Sequence, residues 1–236
     1  MTTILAVDTS TVACSVALQV GSHSIAKYSD EPRSHSRLVM TMVQDILSEA
    51  GLKLNQLDAI GVTIGPGSFT GLRIGFATVQ GLAYGAGVPV VPVSTLRLMV
   101  ATYLRKYCSN PTLAKGREII AVLDARMSEY SVGRYGLNGD GEVVVLENDQ
   151  LVSAEQALSL AASGDPLAII GEADQLVETR PELAALYKQV YPQAEDILPI
   201  AQTEYKQGNA VPVTEVDLVY LRGAEAWQKR KRLREA

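Results

Sequence analysis

A glycine-rich run, Gly65-Pro-Gly-Ser-Phe-Thr-Gly71, stands directly before a segment with helical patterning. Backbone N–H groups of such a loop, at a helix N-terminus, can cradle a phosphate. The known templates are not met. A Walker A loop would continue Gly-Lys-Ser/Thr, and here Gly71 is followed by Leu72 and Arg73. A dinucleotide fingerprint would need a glycine three residues after Gly67, where Thr70 stands. The plainer reading is a tight turn into a closely packed helix, with Gly65, Pro66, Gly67, Gly71 and Gly75 as structural residues. Asp8-Thr9-Ser10-Thr11 follows the first apolar run. An aspartate there either satisfies turn amides or, if it faces phosphates, orders a metal ion. In the second half, Ile169-Ile-Gly-Glu-Ala173 offers one glycine and then a carboxylate, which would repel a phosphate. The two histidines, His23 and His35, lack the short spacing of a helix-borne metal pair, and His35 between Ser34 and Ser36 suits a helix start. Gly67-Ser-Phe-Thr-Gly71 has its serine in the wrong place for a nucleophile elbow. The basic run Trp227–Arg234 could touch RNA phosphates, or end a helix in solvent where cations suit the dipole.

The elements that must position these residues can be read from periodicity. Strands are expected over 4–8, 14–20 and 23–28 as a meander, then a helix over 34–51 and a strand over 59–64. A helix over 72–84, a strand over 88–93 and a helix from Ser94 to Tyr107 follow. The pattern then restarts. Strands are expected over 119–124, 129–135 and 142–147, a helix from Ser153 to Ala162 and a strand over 167–170. The remainder is mixed, with a terminal helix from about Val213. At an offset of 116, Ile4, Asp8, Ser15 and Val16 match Ile120, Asp124, Ser131 and Val132. The order strand–strand–strand–helix–strand–helix, used twice, predicts an α/β, two-lobed actin-like, sugar-kinase and Hsp70-ATPase (ASKHA) fold with duplicated βββαβα units. The boundaries read from sequence are 1–108 for the first lobe, 109–212 for the second, and 213–236 for a C-terminal helix and basic tail packing back on the first.

Composition agrees with a folded chain. Of 236 residues, 47% are apolar and 20% charged, which excludes a disordered protein. The net charge of −5 argues against a free-standing nucleic-acid binder. Charge is uneven: +2 over residues 1–110, −11 over 111–226 and +4 over the last ten. Cys14 and Cys108 make neither a metal cluster nor a disulfide framework. No signal peptide is visible, and the uncharged stretch 74–93 is broken by four glycines and two prolines, so a cytoplasmic protein with no membrane partner is expected.

Taken together, Ile4-Leu-Ala-Val-Asp-Thr-Ser-Thr11, Cys14-Ser-Val-Ala17, His35-Ser-Arg-Leu38, the run Gly65–Gly75, Asp124-Ala-Arg-Met127 and Tyr220-Leu-Arg222 resemble the TsaB (YeaZ) family. That resemblance spans the chain and is strongest over residues 1–130. It implies the actin-like fold and a non-catalytic paralogue of TsaD. With TsaD and the ATPase TsaE, such a protein serves the transfer of a threonylcarbamoyl group to N6 of the adenosine beside the anticodon of tRNA. It implies no catalytic residues, no metal and no cofactor of its own, with room for ATP or ADP at the partner interface. It further implies that tRNA is met only through the complex, and that TsaD binding and self-association as a homodimer use one face of the first lobe. The helix 34–51 carries an apolar arc of roughly 200°, wider than the ~100° stripe that packs one face. The helix 72–84 holds one charge, Arg73, and is expected to be buried on more than one side. Interface residues are therefore expected at Leu38, Met42, Asp45, Ile46, Arg73, Phe76 and Gln80, such that a glutamate at Met42 breaks the complex and spares the fold. Asp8, Thr9, Ser10 and Asp124 would form a vestigial nucleotide site. The alternative is a nucleotide-dependent phosphotransferase or ATPase, which requires Asp8 and Asp124 to face one cleft. The glycoprotease label carried by part of the superfamily finds no nucleophile and base here.

Overall fold

The structure is a computed structural model that describes residues 2–108, 116–139 and 141–222. Two five-stranded sheets organise it. In the first, β1 (Thr3–Asp8) lies at the centre. It pairs antiparallel with β2 (Cys14–Val20), which pairs with β3 (His23–Ser29), and parallel with β4 (Ala59–Gly65), which pairs with β5 (Val90–Ser94). In the second, β6 (Ile119–Arg126) takes the central place. The strands β7 (Glu129–Leu137) and β8 (Val143–Ser153) run antiparallel on one side, and β9 (Ala168–Gly171) and β10 (Tyr187–Lys188) parallel on the other. The order third–second–first–fourth–fifth thus occurs twice, which is the duplicated actin-like arrangement expected from the sequence.

Register refines the internal repeat. Asp8 pairs with Ser15, whereas Asp124 pairs with Tyr130. The second hairpin is one residue tighter, so one offset does not serve both strands: Val16 and Val132 face corresponding cores, and the match at 116 holds on β2 and β7. The central strands align instead at an offset of 115, Leu5 with Ile120 and Val7 with Val122, because these pairs share a core face while Ile4 lies on the opposite face of its strand.

Alternation along the central strands splits each lobe into two cores. Leu5 and Val7 face α1 (His35–Glu49) and α2 (Phe69–Ala86), while Ile4 and Ala6 face α6 (Ile197–Lys206). In the second lobe Ile120 and Val122 face α4 (Ala154–Ala162) and α5 (Asp174–Glu178), while Ile119, Ala121 and Leu123 face α3 (Thr95–Tyr107). The two inner helices are exchanged. Helix α3 follows the first sheet in the chain but packs on the second, and α6 follows the second but packs on the first. Packing therefore crosses the division at residues 108 and 212 read from chain order. Arg97 of α3 bonds Glu204 of α6 at 3.2 Å, and Arg105 bonds Asp196, just before α6, at 2.6 Å.

Other elements differ in extent from the sequence reading. Helix α2 starts at Phe69 rather than Leu72, because the Ser68 hydroxyl accepts from Gly71 N and caps it. Strand β8 runs on to Ser153, six residues past Glu147, through a polar stretch half-exposed at the sheet edge. The terminal helix expected from Val213 is absent over 213–222: a single 3₁₀ turn at Val213–Glu215 gives way to irregular chain. The basic tail and the Asn110-Pro111 boundary lie outside the described residues. Among those described, no helix is long and apolar enough to cross a membrane.

Candidate functional site

The lobes face each other across a cleft, and the sequence-predicted site residues fall on its floor and rim. Asp8, at the end of β1, has no exposed surface. Its Oδ1 accepts from Ser10 Oγ at 2.6 Å, Thr63 Oγ1 at 2.7 Å and Ser10 N at 3.2 Å, while Oδ2 is buried without a partner. Burial raises its pKa from 3.8 to about 6, against the opposing pull of those hydrogen bonds and of His35. His35, nearly buried at the start of α1, points Nε2 at the carbonyls of Thr11 and Ala13, 3.0 and 3.1 Å away, and ties the turn after β1 to the helix.

The glycine run seals this turn from above. Ser68 N donates to Ser10 O at 2.7 Å, and Thr9 Oγ1 donates to Gly71 O at 2.7 Å. A Cβ at Gly67 would overlap the Ser10 carbonyl oxygen, one at Gly71 the Thr9 carbonyl oxygen, and one at Gly75 the Thr9 hydroxyl. The run therefore packs directly against the first turn. Gly65 ends β4, with Pro66 next to it, and the place of its missing side chain is met by the Val219 carbonyl.

Asp124, in β6, does reach the cleft, a space of about 770 Å³ that also meets Thr11, His35, Phe69, Arg126 and Glu172. Its carboxylate is spent on the next turn, accepting from Arg126 N at 2.7 Å and from the Arg126 guanidinium at 3.1 Å. Glu172 stands beside it. Burial raises its pKa, Arg126 opposes, and the carboxylates of Asp124 and Asp174 add to the rise. Asp8 and Asp124 are thus not brought to one open site: the first is covered, and the second shares the cleft with another acid.

The raised Asp8 pKa has a measurable consequence. In the unfolded chain this carboxyl ionises near 3.8, in the folded chain near 6. Between those values the native state holds the extra proton, so stability falls as pH rises, by about 3 kcal/mol in all. Asp8→Asn removes the step. The melting temperature of wild type minus that of Asp8→Asn is expected to drop by about 6–12 °C between pH 4 and 7. A difference that stays level or rises would show an ordinary, already ionised carboxylate.

The expected interface residues divide. Met42 and Ile46 point into the first core, 8% and 0% exposed, and Leu38 and Phe76 are half-buried against it. The wide apolar arc of α1 is mostly spent within the lobe, because β2, β3 and α2 all pack around it. A glutamate at Met42 would bury a charge in the core and disrupt the fold itself. Asp45, Arg73 and Gln80 are exposed. Helix α2, by contrast, buries only the line Gly71, Leu72, Gly75, Val79 and Ala83. Its other side, including Arg73, Ala77, Gln80, Gly81 and Tyr84, is open, with Tyr84 82% exposed. Among the described residues, the expected burial on more than one side does not occur.

One cluster escaped the sequence reading. The Arg73 guanidinium lies 3.3 Å over the Phe69 ring and 5.3 Å from the Tyr220 ring, whose centroids are 5.7 Å apart. Phe69 and Arg73, one turn apart on α2, are a legible pair; Tyr220 is about 150 residues away and carried no signal beyond its place in Tyr220-Leu-Arg222.

Comparison with known proteins agrees with this architecture. The family model described as TsaD, tRNA N6-adenosine threonylcarbamoyltransferase, matches residues 29–201. The chain is 34% identical over 235 residues to the tRNA threonylcarbamoyladenosine biosynthesis protein TsaB of Haemophilus influenzae, covering 96% of each. It is 35% identical over 238 residues to TsaB of Escherichia coli K12, covering 96% of this chain and 97% of that protein. A Pseudomonas aeruginosa crystal structure, described as a protein with similarity to peptidase YEAZ, superposes with a TM-score of 0.83 at 36% identity, over 94% of this chain and all of that one. With both lobes covered at that identity, the chain belongs to the TsaB (YeaZ) family of tRNA threonylcarbamoyladenosine biosynthesis proteins.

Proposed function

We propose that this chain is a non-catalytic subunit that binds TsaD and holds it in its active arrangement for N6-threonylcarbamoylation of the adenosine beside the tRNA anticodon. The observation that carries the proposal is the pairing of a closed site with an open face. The turn where a phosphate would bind is filled by Gly67–Gly75 packed on Thr9 and Ser10, while the charge-poor outer side of α2 is left uncovered by the described residues. A folded surface of small and aromatic residues around a single guanidinium fits protein–protein contact. In this reading TsaD occupies that side of α2, and in its absence a second copy does. TsaE joins the complex, tRNA is met only through it, and ATP or ADP is held at the partner interface rather than by this chain alone. The setting is the cytoplasm.

Reconstitution tests it. TsaD, TsaE, the enzyme that makes threonylcarbamoyl-AMP, ATP and tRNA are combined with and without this chain, and the modified adenosine is read by mass spectrometry. Product is expected only with the chain, and is expected to persist with the folded double variant Asp8→Asn, Asp124→Asn. Loss of product with that variant would mean a working nucleotide site. Equal product without the chain would remove the subunit role.

A further inference from the structure

Beyond the 3₁₀ turn at Val213–Glu215, residues 216–222 run from one lobe to the other along a cavity of about 650 Å³. On the first lobe the segment is held by Val219 N donating to Ile64 O at 2.8 Å, by the Val219 carbonyl lodged where Gly65 has no side chain, and by Tyr220 in the Phe69–Arg73 cluster. On the second lobe Arg222 does the holding. Its Nη2 donates to Ala125 O at 3.2 Å, Arg126 O at 3.0 Å and the Glu129 carboxylate, and its Nη1 lies 3.3 Å from Met127 Sδ.

The turn under Arg222 is an unusual one. Arg126, Met127 and Ser128 have φ of +68°, +59° and +60°, three successive non-glycine residues in the left-handed region. Each such residue crowds its Cβ against the backbone, and the conformation persists only where its surroundings hold it. Asp124 holds it from within the strand, and Arg222 from the segment 216–222.

We infer that residues 216–222 are a latch between the lobes, and that it reports to the outer side of α2. The link is Arg73. Among the described residues it makes no ion pair, and it contributes instead to the stack that anchors Tyr220. A carboxylate on a docking partner draws the guanidinium off the rings, loosens Tyr220, and with it the hold of Arg222 on the 126–128 turn. The coupling rests on the reading of α2 as the docking side; the latch itself does not.

The test uses hydrogen exchange on the full chain, first alone. A latch is reciprocal. Arg222→Ala, a change on the second-lobe anchor, raises exchange of the Val219 amide at least tenfold. Tyr220→Ala, a change on the first-lobe anchor, raises exchange over residues 126–130 at least tenfold. Amides of α3 and α6 keep wild-type rates in both. Effects confined to the lobe where each anchor sits, or no effect, overturn the latch. If Arg222→Ala lowers protection throughout the chain, Glu129→Gln removes only the anion beneath Arg222; a Val219 rate unchanged in that variant overturns the latch as well. TsaD is then added to wild type. Binding with faster exchange over 126–130 supports the coupling. Binding with unchanged exchange there overturns the coupling and leaves the docking reading intact. Absence of binding overturns the docking reading and the coupling together, and the isolated-chain result still decides the latch.

Discussion

Ala77→Glu is expected to weaken TsaD binding at least 100-fold while moving the melting temperature of the isolated chain by no more than about 2 °C. Ala77 sits in the middle of the open side of α2, with Arg73 one turn before it and Gly81 one turn after. An exposed Ala→Glu change in a helix costs a few tenths of a kcal/mol in propensity and buries nothing, so the fold is spared. At the centre of a docked interface the same carboxylate is stripped of water without a partner, which costs about 3 kcal/mol or more and so about two decades in affinity. Ser159→Glu, on the exposed side of α4 in the other lobe, serves as the control and should bind as wild type does. Titration calorimetry with TsaD reads both. Full-strength binding by folded Ala77→Glu would move the interface off α2.

The second large effect is on stability and concerns three glycines of that one helix. Gly71→Ala is expected to lower stability by about 3 kcal/mol, near 6–12 °C in melting temperature, because the new methyl meets the Thr9 carbonyl and backbone yields little. Gly75→Ala meets the Thr9 hydroxyl, which can rotate away at the loss of its bond to Gly71 O, so about 1 kcal/mol is expected. Gly81→Ala meets nothing within 4 Å and should stabilise by about 0.5–1 kcal/mol through helix propensity. Thermal melts of the three variants give the order directly. Equal losses at all three would mean that propensity alone, not contact with the first turn, governs the helix.

Most of the architecture is legible in the sequence, because buried strands announce themselves as short apolar runs between turn residues. Ile4–Asp8 and Ile119–Asp124 are both of this kind, and both stand at sheet centres. What stayed hidden had local signals pointing elsewhere. Pro66 and Gly67 made the loop look longer than it is, hiding the cap at Ser68. Pro199 within the first turn of α6 blurred a helix whose Ile197, Leu198 and Ala201 face the first sheet. Asn148-Asp-Gln150 reads as loop, yet Asp149 is drawn into β8 by Tyr135 and by the Ser94 hydroxyl at 2.6 Å from the other lobe. At the site, Asp8 was legible as a turn aspartate because its partner Ser10 is two residues on. The Phe69–Arg73–Tyr220 stack and the reach of Arg222 to Glu129 were not, since long separations leave no periodic trace. The width of an apolar arc proved a poor guide to exposure: on α1 the excess is covered by neighbours, and on α2 the open side is marked by small residues rather than greasy ones.

The exchange of α3 and α6 bears on how the chain is made. The first sheet is complete in sequence at Ser94, but the helix that covers Ile4, Ala6, Val91 and Val93 ends only at Lys206. At about 5–20 residues per second, a ribosome needs roughly 5–20 s to deliver the intervening 110 or so residues. Throughout that interval the nascent chain carries a finished sheet with one bare apolar side. A holding chaperone, or a provisional cover by α3, has to bridge the gap, and a message truncated before codon 197 would yield a sheet that never closes.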